Sequence, residues 1–360
     1  MFNSLFKKNV ISIDLGSFET KIVKGSKKKD KIKIDKAFSF KIPDSVYMNG
    51  YIKNLIVLVD SVRNELEKNK IRSGICYLSI KSADIVTREI SFPVVDPEEI
   101  DGLLKYQLPE YLPMDYSKYV IQHKIIDKFI EGDKEKLNVL VVATPVDMVD
   151  MHYNFVRDIG LRPVILDYQP NCIWKLFRFA NSINGKINVN DKTIAAIDLG
   201  YDSIDVTIIR EGKIKIARVI DMESITINND TKNLVAATVE EISSMKSDIN
   251  DISILDDKLS DHNRYINNIR TNIESILTII DRIFKFYFSN YIGCEIDFII
   301  LFGGLSNING IDKLFLNYFG IPTVILNSIE KLNIAVDLNK YMNCLGLLIR
   351  DDGVQYLWKI

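Results

Sequence analysis

Apolar positions open the chain in short runs at strand spacing. VISIDL at 10–15, TKIVKG at 20–25 and IKIDKAFSFK at 32–41 predict three β-strands. A tight turn separates the first two, and a lysine-rich stretch separates the last two. From 51 to 68 the period becomes helical, with Ile52, Leu55, Ile56, Val59, Val62 and Leu66 on one face. A short strand follows at 76–80. Another strand covers 85–92 and stops at Pro93. Asp96-Pro97-Glu98-Glu99 then reads as a helix start: an N-cap, a proline at the first helical position and an early glutamate. Ile100, Leu103, Leu104 and Leu108 form its stripe, and Pro109 is expected to end it. Strands at 119–127 and 137–143 pair across a polar loop at 131–136, and Thr144-Pro145-Val146-Asp147 starts a helix that stops at Gly160. Residues 82–160 thus form a strand–helix–strand–strand–helix unit, inserted between a strand at 76–80 and another at 162–166. A helix at 171–180 and a polar, glycine-bearing stretch at 182–191 close the first half.

The second half repeats the opening. ISIDLGSFETKIVKG at 11–25 and AAIDLGYDSIDVTII at 195–209 share the tetrapeptide IDLG, each followed by a β-rich run. Taken singly, apolar–Asp–apolar–Gly is a common strand end, and a plain hairpin explains it. A glycine and small hydroxyls in such a turn also let backbone N–H groups approach phosphate oxygens. Asp14, at the end of a buried strand, is suited to hold magnesium through water. Two copies, each opening a half, point to a duplicated architecture with nucleotide between the halves. A third strand is expected at 213–219, and a helix at 234–245 between polar stretches at 228–233 and 246–263. A long amphipathic helix from about 264 to 290 carries Ile266, Ile269, Ile273, Ile276, Leu277, Ile280, Phe284 and Phe288 on one stripe. It spans roughly 40 Å. Charges interrupt it throughout, so it faces a core rather than a membrane. A wholly apolar strand then runs into Gly303-Gly304, and a helix starts near Asn309 with Asp312 in its first turn. A glycine pair there suits a common turn, or backbone lying against a flat ligand or a phosphate. A helix at 339–350 and an apolar tail at 354–360 finish the chain.

Composition narrows the function. The chain has 360 residues, 47% of them apolar and 26% charged, with a formal net charge of −2. That allows two ordinary domains and argues against nucleic acid as a partner. Cys76, Cys172, Cys294 and Cys344 are widely spaced and read as core residues of a reducing compartment, with no zinc site. His123, His152 and His262 form no metal motif. The N-terminus lacks a signal-peptide core, so a cytoplasmic location is expected, with any membrane association indirect. The run KGSKKKDKIKIDK is either a solvated hairpin tip or a weak attraction for anionic lipid.

Two IDLG hairpins followed by a strand ending in Gly-Gly resemble the phosphate-one, phosphate-two and adenosine motifs of the actin, sugar-kinase and chaperone ATPase superfamily. Within it, the chain resembles the PilM family of type IV pilus assembly proteins, relatives of the cell-division protein FtsA. FKKNVISIDLGSFETKIV, ISFPVVDPEEIDGLLKYQLPEYLPMDYSKYVIQHKII, LNVLVVATPVDMVDMHYNFVRDIGLRPVILDYQP and CLGLLIR carry the likeness. It implies an α/β actin-like two-domain fold of duplicated ribonuclease H-like domains, with a PilM/FtsA-type inserted subdomain. On this reading residues 1–185 form the first domain, with the insertion at 82–160. Residues 186–335 form the second, with a small subdomain at about 225–263, and 336–360 return to the first. It further implies ATP and Mg2+ in the cleft. The expected role is a cytoplasmic scaffold or homo-oligomeric ring at the inner face of the cell membrane. It would capture the N-terminal peptide of a PilN-like bitopic membrane protein beside the insertion and link it to the pilus motor ATPases or platform protein.

The resemblance carries roles residue by residue. Asp14, Gly16, Ser17, Thr20 and Lys21 match the first phosphate motif, and Asp198, Gly200 and Ser203 the second. Asp14 and Asp198 would share the magnesium through water. Gly303, Gly304 and Ser306 match the adenosine motif, and Lys246 is placed near the adenine or ribose. Gln169 stands where the superfamily often orients the attacking water; a polar helix start explains it equally. Tyr201 and Asp202 replace the glycines of the chaperone ATPases, so slow hydrolysis at most is expected. Ser243 replaces the acidic neighbour seen in FtsA. Two alternatives remain at this stage: a sugar kinase of the same superfamily, and an FtsA-like membrane-associated filament, against which the short end at Gln355-YLWKI counts.

Overall fold

The computed structural model describes residues 10–28, 31–96, 98–111, 115–185, 187–222, 251–254, 261–332 and 337–350. The expected helix at 234–245 lies outside them, as do Ser243, Lys246, Pro97, most of the small subdomain at about 225–263, and the tail at 354–360.

Strand β1 (Val10–Asp14) is buried at all five positions, which places it inside a sheet covered on both faces. It turns back into β2 (Glu19–Lys28), with Asp14 opposite Lys21, and β2 pairs with β3 (Lys31–Lys41). A small hairpin, β4 (Tyr47–Met48) and β5 (Tyr51–Ile52), precedes the helix Leu55–Lys68. That helix starts four residues later than the apolar period suggests, because Asn54 caps it by accepting from the Val57 N–H. Leu58, Val59, Val62 and Leu66 are buried, whereas Ile56 is exposed. Strand β6 (Ile75–Ile80) then lies parallel to β1.

The inserted unit comes next. Strands β7 (Val86–Pro93), β8 (Tyr119–Glu131) and β9 (Lys134–Pro145) form a separate sheet in the order β7-β9-β8. The helix Ile100–Tyr111 covers it, and Ile90, Phe92, Ile100, Leu104, Leu108, Val139 and Val141 make a core of their own. Two expectations change here. Pro109 does not end the helix, which continues to Tyr111; a proline in the last turn removes only one N–H that late. The polar loop expected at 131–136 is mostly strand, turning tightly at Gly132, whose φ is 62°. Charged residues at the little-buried ends of β8 and β9 read as loop. The helix Val146–Asp158 leaves this unit and buries Met148, Phe155 and Val156 in the core of the first sheet. Strand β10 (Arg162–Tyr168) completes that sheet, in the order β10-β6-β1-β2-β3.

After the helix Gln169–Phe179, the polar stretch holds a two-residue hairpin, β11 (Ser182–Ile183) and β12 (Ile187–Asn188). Strands β13 (Ile194–Leu199), β14 (Ser203–Arg210) and β15 (Lys213–Asp221) follow, then the helix Asp261–Asn290, β16 (Phe298–Phe302), the helix Ile311–Phe319 and β17 (Thr323–Ile325). The second sheet has the order β15-β14-β13-β16-β17. Each sheet therefore has three antiparallel meander strands, then two parallel ones added beside the first. The repeat seen in two hairpins is a repeat of the whole sheet. The long helix lays Ile269, Ile273, Ile276, Leu277, Ile280, Phe284 and Tyr287 on the second core, with Tyr287 rather than half-exposed Phe288 ending the stripe.

The closing helix, Leu338–Leu348, joins the halves. It packs against the helix Gln169–Phe179 so closely that a Cβ at Gly346 would overlap the backbone of Cys172. One apolar core, containing Val23, Cys172, Ile194, Ile300 and Leu345, draws on both sheets and on this helix pair.

Candidate functional site

Since β1 and β13 are the equivalent strands of the two sheets, their ends, Asp14 and Asp198, face one another across the junction. The turns that follow them, at Gly16 and Gly200, line a cavity of about 270 Å3. Of the predicted residues, Asp14, Gly16, Ser17, Lys21, Gln169, Asp198, Gly200, Gly303 and Gly304 line it. Thr20, Ser203 and Ser306 do not. Thr20 is fully buried in β2. Ser203 donates its hydroxyl to Asp202 at 2.9 Å, and Ser306 donates to the Gly303 carbonyl at 2.7 Å. The last two brace the turns from behind, and alternation along β2 sends Glu19 and Lys21, the neighbours of Thr20, toward the cleft.

Asp14 is the centre of the first wall. Its Oδ1 accepts from Ser79 Oγ at 2.8 Å and from Gln169 Nε2 at 2.7 Å. Its Oδ2 accepts from Asn343 Nδ2 at 3.3 Å and lies 3.8 Å from Lys21 Nζ. In the second wall, burial raises the pKa of Asp198, with Asp14 adding to the effect and Lys81 and Lys21 opposing it. Gly303 has a φ of 90°, and a Cβ there would run into Asp198 Oδ1, so only glycine brings β16 this close to β13.

Lys81, at the end of β6, crosses from the first wall to the second and bonds Asp205 Oδ2 at 2.8 Å. Burial works against its charge, but Asp205, Asp198 and Asp202 outweigh it and hold the ammonium protonated. Burial in turn lifts the Asp205 carboxyl to about 6, against the pull of Lys81. The two turns also meet directly: the Phe18 and Tyr201 rings stack at 5.0 Å, with Lys41 Nζ 4.7 Å above Phe18.

Four residues lining this cavity each have a buried polar atom with no protein partner: Ser17 Oγ, Gln169 Oε1, Asn339 Oδ1 and Asn343 Oδ1. Buried polar atoms are normally paired. Three of the four are acceptors, suited to a ribose hydroxyl, an amino group or a water. Together with Lys21 and Lys81 they fit a nucleotide. Magnesium fits less directly. Both oxygens of Asp14 are already engaged, and no group of three or more metal-ligating side chains exists among the described residues. Asp14 and Asp198 suit an ion only through intervening water.

Sequence reasoning missed Lys81, Asn339 and Asn343. Signals existed. Lys81 directly follows a mostly apolar strand, and the two asparagines sit four apart on the mostly apolar helix LNKYMNCLGLL, hence on one face.

A second, smaller cavity of about 50 Å3 lies where the inserted sheet meets the rest. Thr87 of β7, Gln122 and His123 of β8 and Val142 of β9 form one side. Leu166, Tyr168 and Asn171 form another, and Ile214 and Ala217 of β15 the third. Gln122 Oε1 is buried there without a partner. The segment from Tyr168 to Asn171 separates the two cavities, with Gln169 on the cleft side. No helix among the described residues is long and apolar enough to cross a membrane.

A family profile for type IV pilus assembly protein PilM matches residues 12–343. Among solved structures, a PilM–PilN type IV pilus biogenesis complex superposes with a TM-score of 0.75 at 18% identity, over 94% of this chain and 97% of the other. The ethanolamine utilization protein EutJ from Carboxydothermus hydrogenoformans superposes with a TM-score of 0.54 at 15% identity, over 96% and 91%. The fold is thus the actin-like α/β fold, and the chain belongs to the type IV pilus assembly protein PilM family.

Proposed function

We propose that this member of the family is a cytoplasmic, ATP-binding scaffold of a type IV pilus inner-membrane complex, which holds the cytoplasmic N-terminal peptide of a PilN-like membrane protein. The observation that carries the nucleotide part is the cleft. Two equivalent turns oppose each other there, and the residues lining the cleft include Lys21, Lys81 and four that carry an unpartnered buried polar atom. ATP would lie with its phosphates at the turns of Gly16 and Gly200 and its nucleoside toward Gly303-Gly304 and Asn339. Magnesium, when bound, offsets phosphate charge; Asp14 and Asp198 would orient its water shell. Gln169, held by Asp14 through Nε2, has Oε1 without a protein donor, so it can accept a hydrogen bond from a water molecule and orient it. Stacking of Phe18 on Tyr201 closes the turns and supports slow turnover, below the roughly 1 per second at the low end of ordinary enzymes.

The peptide part rests on the seam cavity and on the likeness to a solved PilM–PilN complex. Strand β8 is an edge strand, so its outer side can accept an extended peptide. We divide the chain as 1–185 with an insertion at 82–160, 186–335, and 336–360. The insertion supplies the peptide seam, the halves supply the cleft, and membrane contact is made through the partner. Calorimetry with ATP and with the N-terminal peptide of the partner membrane protein tests both parts. Saturable one-to-one binding of each is expected; failure of either removes that part.

A further inference from the structure

The two hairpins share the IDLG turn and its register, yet the residue paired with the aspartate differs between them. In the first, Asp14 lies opposite Lys21. In the second, Asp198 lies opposite Asp205. The second turn therefore lacks the lysine that its own strand would supply. Lys81 stands in that place, brought from the other half of the molecule and held by Asp205. The correspondence extends to the turn glycines. A Cβ built on Gly16 would lie 3.3 Å from Lys21 Nζ, and one on Gly200 would lie 3.4 Å from Lys81 Nζ.

We propose that Lys81 receives the terminal phosphate of a bound nucleoside triphosphate, and that this contact makes the cleft prefer triphosphate to diphosphate. The inference rests on the nucleotide reading of the cleft. An ammonium has three N–H donors. Lys81 gives one to Asp205 and lines the cavity, so two remain for a ligand. A short phosphate chain needs only one turn and one cation. A chain long enough to touch both turns brings further negative charge beside Asp198, Asp202 and Asp205, and there Lys81 is the opposing cation. Since Lys81 comes from the first sheet and Asp205 from the second, filling this position also fixes the spacing of the halves.

The test is calorimetric titration of ATP and ADP into the full chain and its variants. Lys81→Met should weaken ATP by about tenfold or more, the scale of a charge-assisted hydrogen bond, and leave ADP within about threefold. Lys81→Arg should recover part of the loss. Removing Lys81 leaves the Asp205 carboxylate buried alone, so the paired variant Lys81→Met with Asp205→Asn controls for folding. It should melt like the parent and show the same selective loss of ATP. Asp205→Asn alone, which removes the carboxylate bonded to the ammonium, should strengthen ATP relative to ADP. Equal losses for both nucleotides, or none, in the paired variant would overturn the role of Lys81 while the parent still binds. If the parent itself binds neither nucleotide, the nucleotide reading fails, and the role of Lys81 with it.

Discussion

Gly303 and Gly304 are adjacent, but an added methyl group meets opposite surroundings at the two positions. At Gly303 it enters the left-handed region of backbone space and collides with Asp198 and with the Leu199 carbonyl. Gly303→Ala should therefore lose about 1–3 kcal/mol of stability and most nucleotide affinity, read by thermal melting and calorimetry. At Gly304 the methyl would meet no protein atom within 4 Å. Gly304→Ala should melt like the parent and weaken nucleotide alone, because the added group occupies the cleft; an unchanged affinity would move the nucleoside away from this turn. His152 makes a separate residue-scale case. It is fully buried, with Nδ1 2.7 Å from the Met148 carbonyl and Nε2 3.3 Å from Tyr47 Oη. Nδ1 therefore donates to Met148 and Nε2 accepts from Tyr47. Burial drives its pKa down to about 4, against the pull of the Met148 carbonyl. The imidazole is neutral in the fold, so the unfolded chain takes up the proton first. Its contribution is complete above the ordinary value of 6.5 and is lost as pH falls toward 4. The loss amounts to about 3 kcal/mol. Urea unfolding between pH 7 and pH 5 should show this slope, and His152→Gln should flatten it.

At the scale of elements, the closing helix does most to define the cleft. Asn339 donates to Ser306 at 2.7 Å in the second half, and Asn343 donates to Asp14 in the first. One helix face thus bonds to both walls. It keeps its position because Gly346 rides directly on Cys172 of the neighbouring helix. Gly346→Val should cost about 1–3 kcal/mol through overpacking, and should loosen nucleotide binding although the residue lies outside the cavity. A variant with parental melting and parental affinity would remove the helix pair from this role. The elements also show how far the amino-acid order could be read. Strands β1, β6, β13 and β16 were legible because they are mostly apolar, as central strands are. The β8–β9 turn was not, because Glu131, Lys134, Glu135 and Lys136 make an exposed strand end look like loop. The IDLG repeat located Asp14 and Asp198. Lys81 and Asn343 reach the same cavity from 65 or more residues away in sequence, and their roles depend on packing that no local pattern encodes.

At the scale of the whole molecule, the inserted sheet, which meets the first half at Leu166 and Tyr168, also bonds to the second. Arg218 of β15 reaches Thr87 at 3.4 Å, Lys213 reaches Asp127 at 2.6 Å, and Tyr291 donates to Glu89 at 3.0 Å. The seam cavity therefore has walls from the insertion and from both sheets, and a peptide seated there would sense their spacing. The segment from Tyr168 to Asn171 lies between that cavity and Gln169 in the cleft. Peptide and nucleotide should then affect each other's affinity, and by the same factor in both directions. The deletion that tests the peptide site follows from the pairing. Removing all of 82–160 would also take the helix Val146–Asp158, whose Met148, Phe155 and Val156 fill the first core. Val86 and Ala143 are paired neighbours at the base of the inserted sheet, so the excision can join the chain there and spare that helix. We expect the excised protein to fold and to bind ATP. The parent should bind the N-terminal peptide of its PilN-like partner in the micromolar range, roughly −8 kcal/mol, and the excised protein should not bind it. Calorimetry on both proteins decides the matter. Peptide binding by the folded, excised protein would place the partner on the two sheets themselves and leave the insertion without this role.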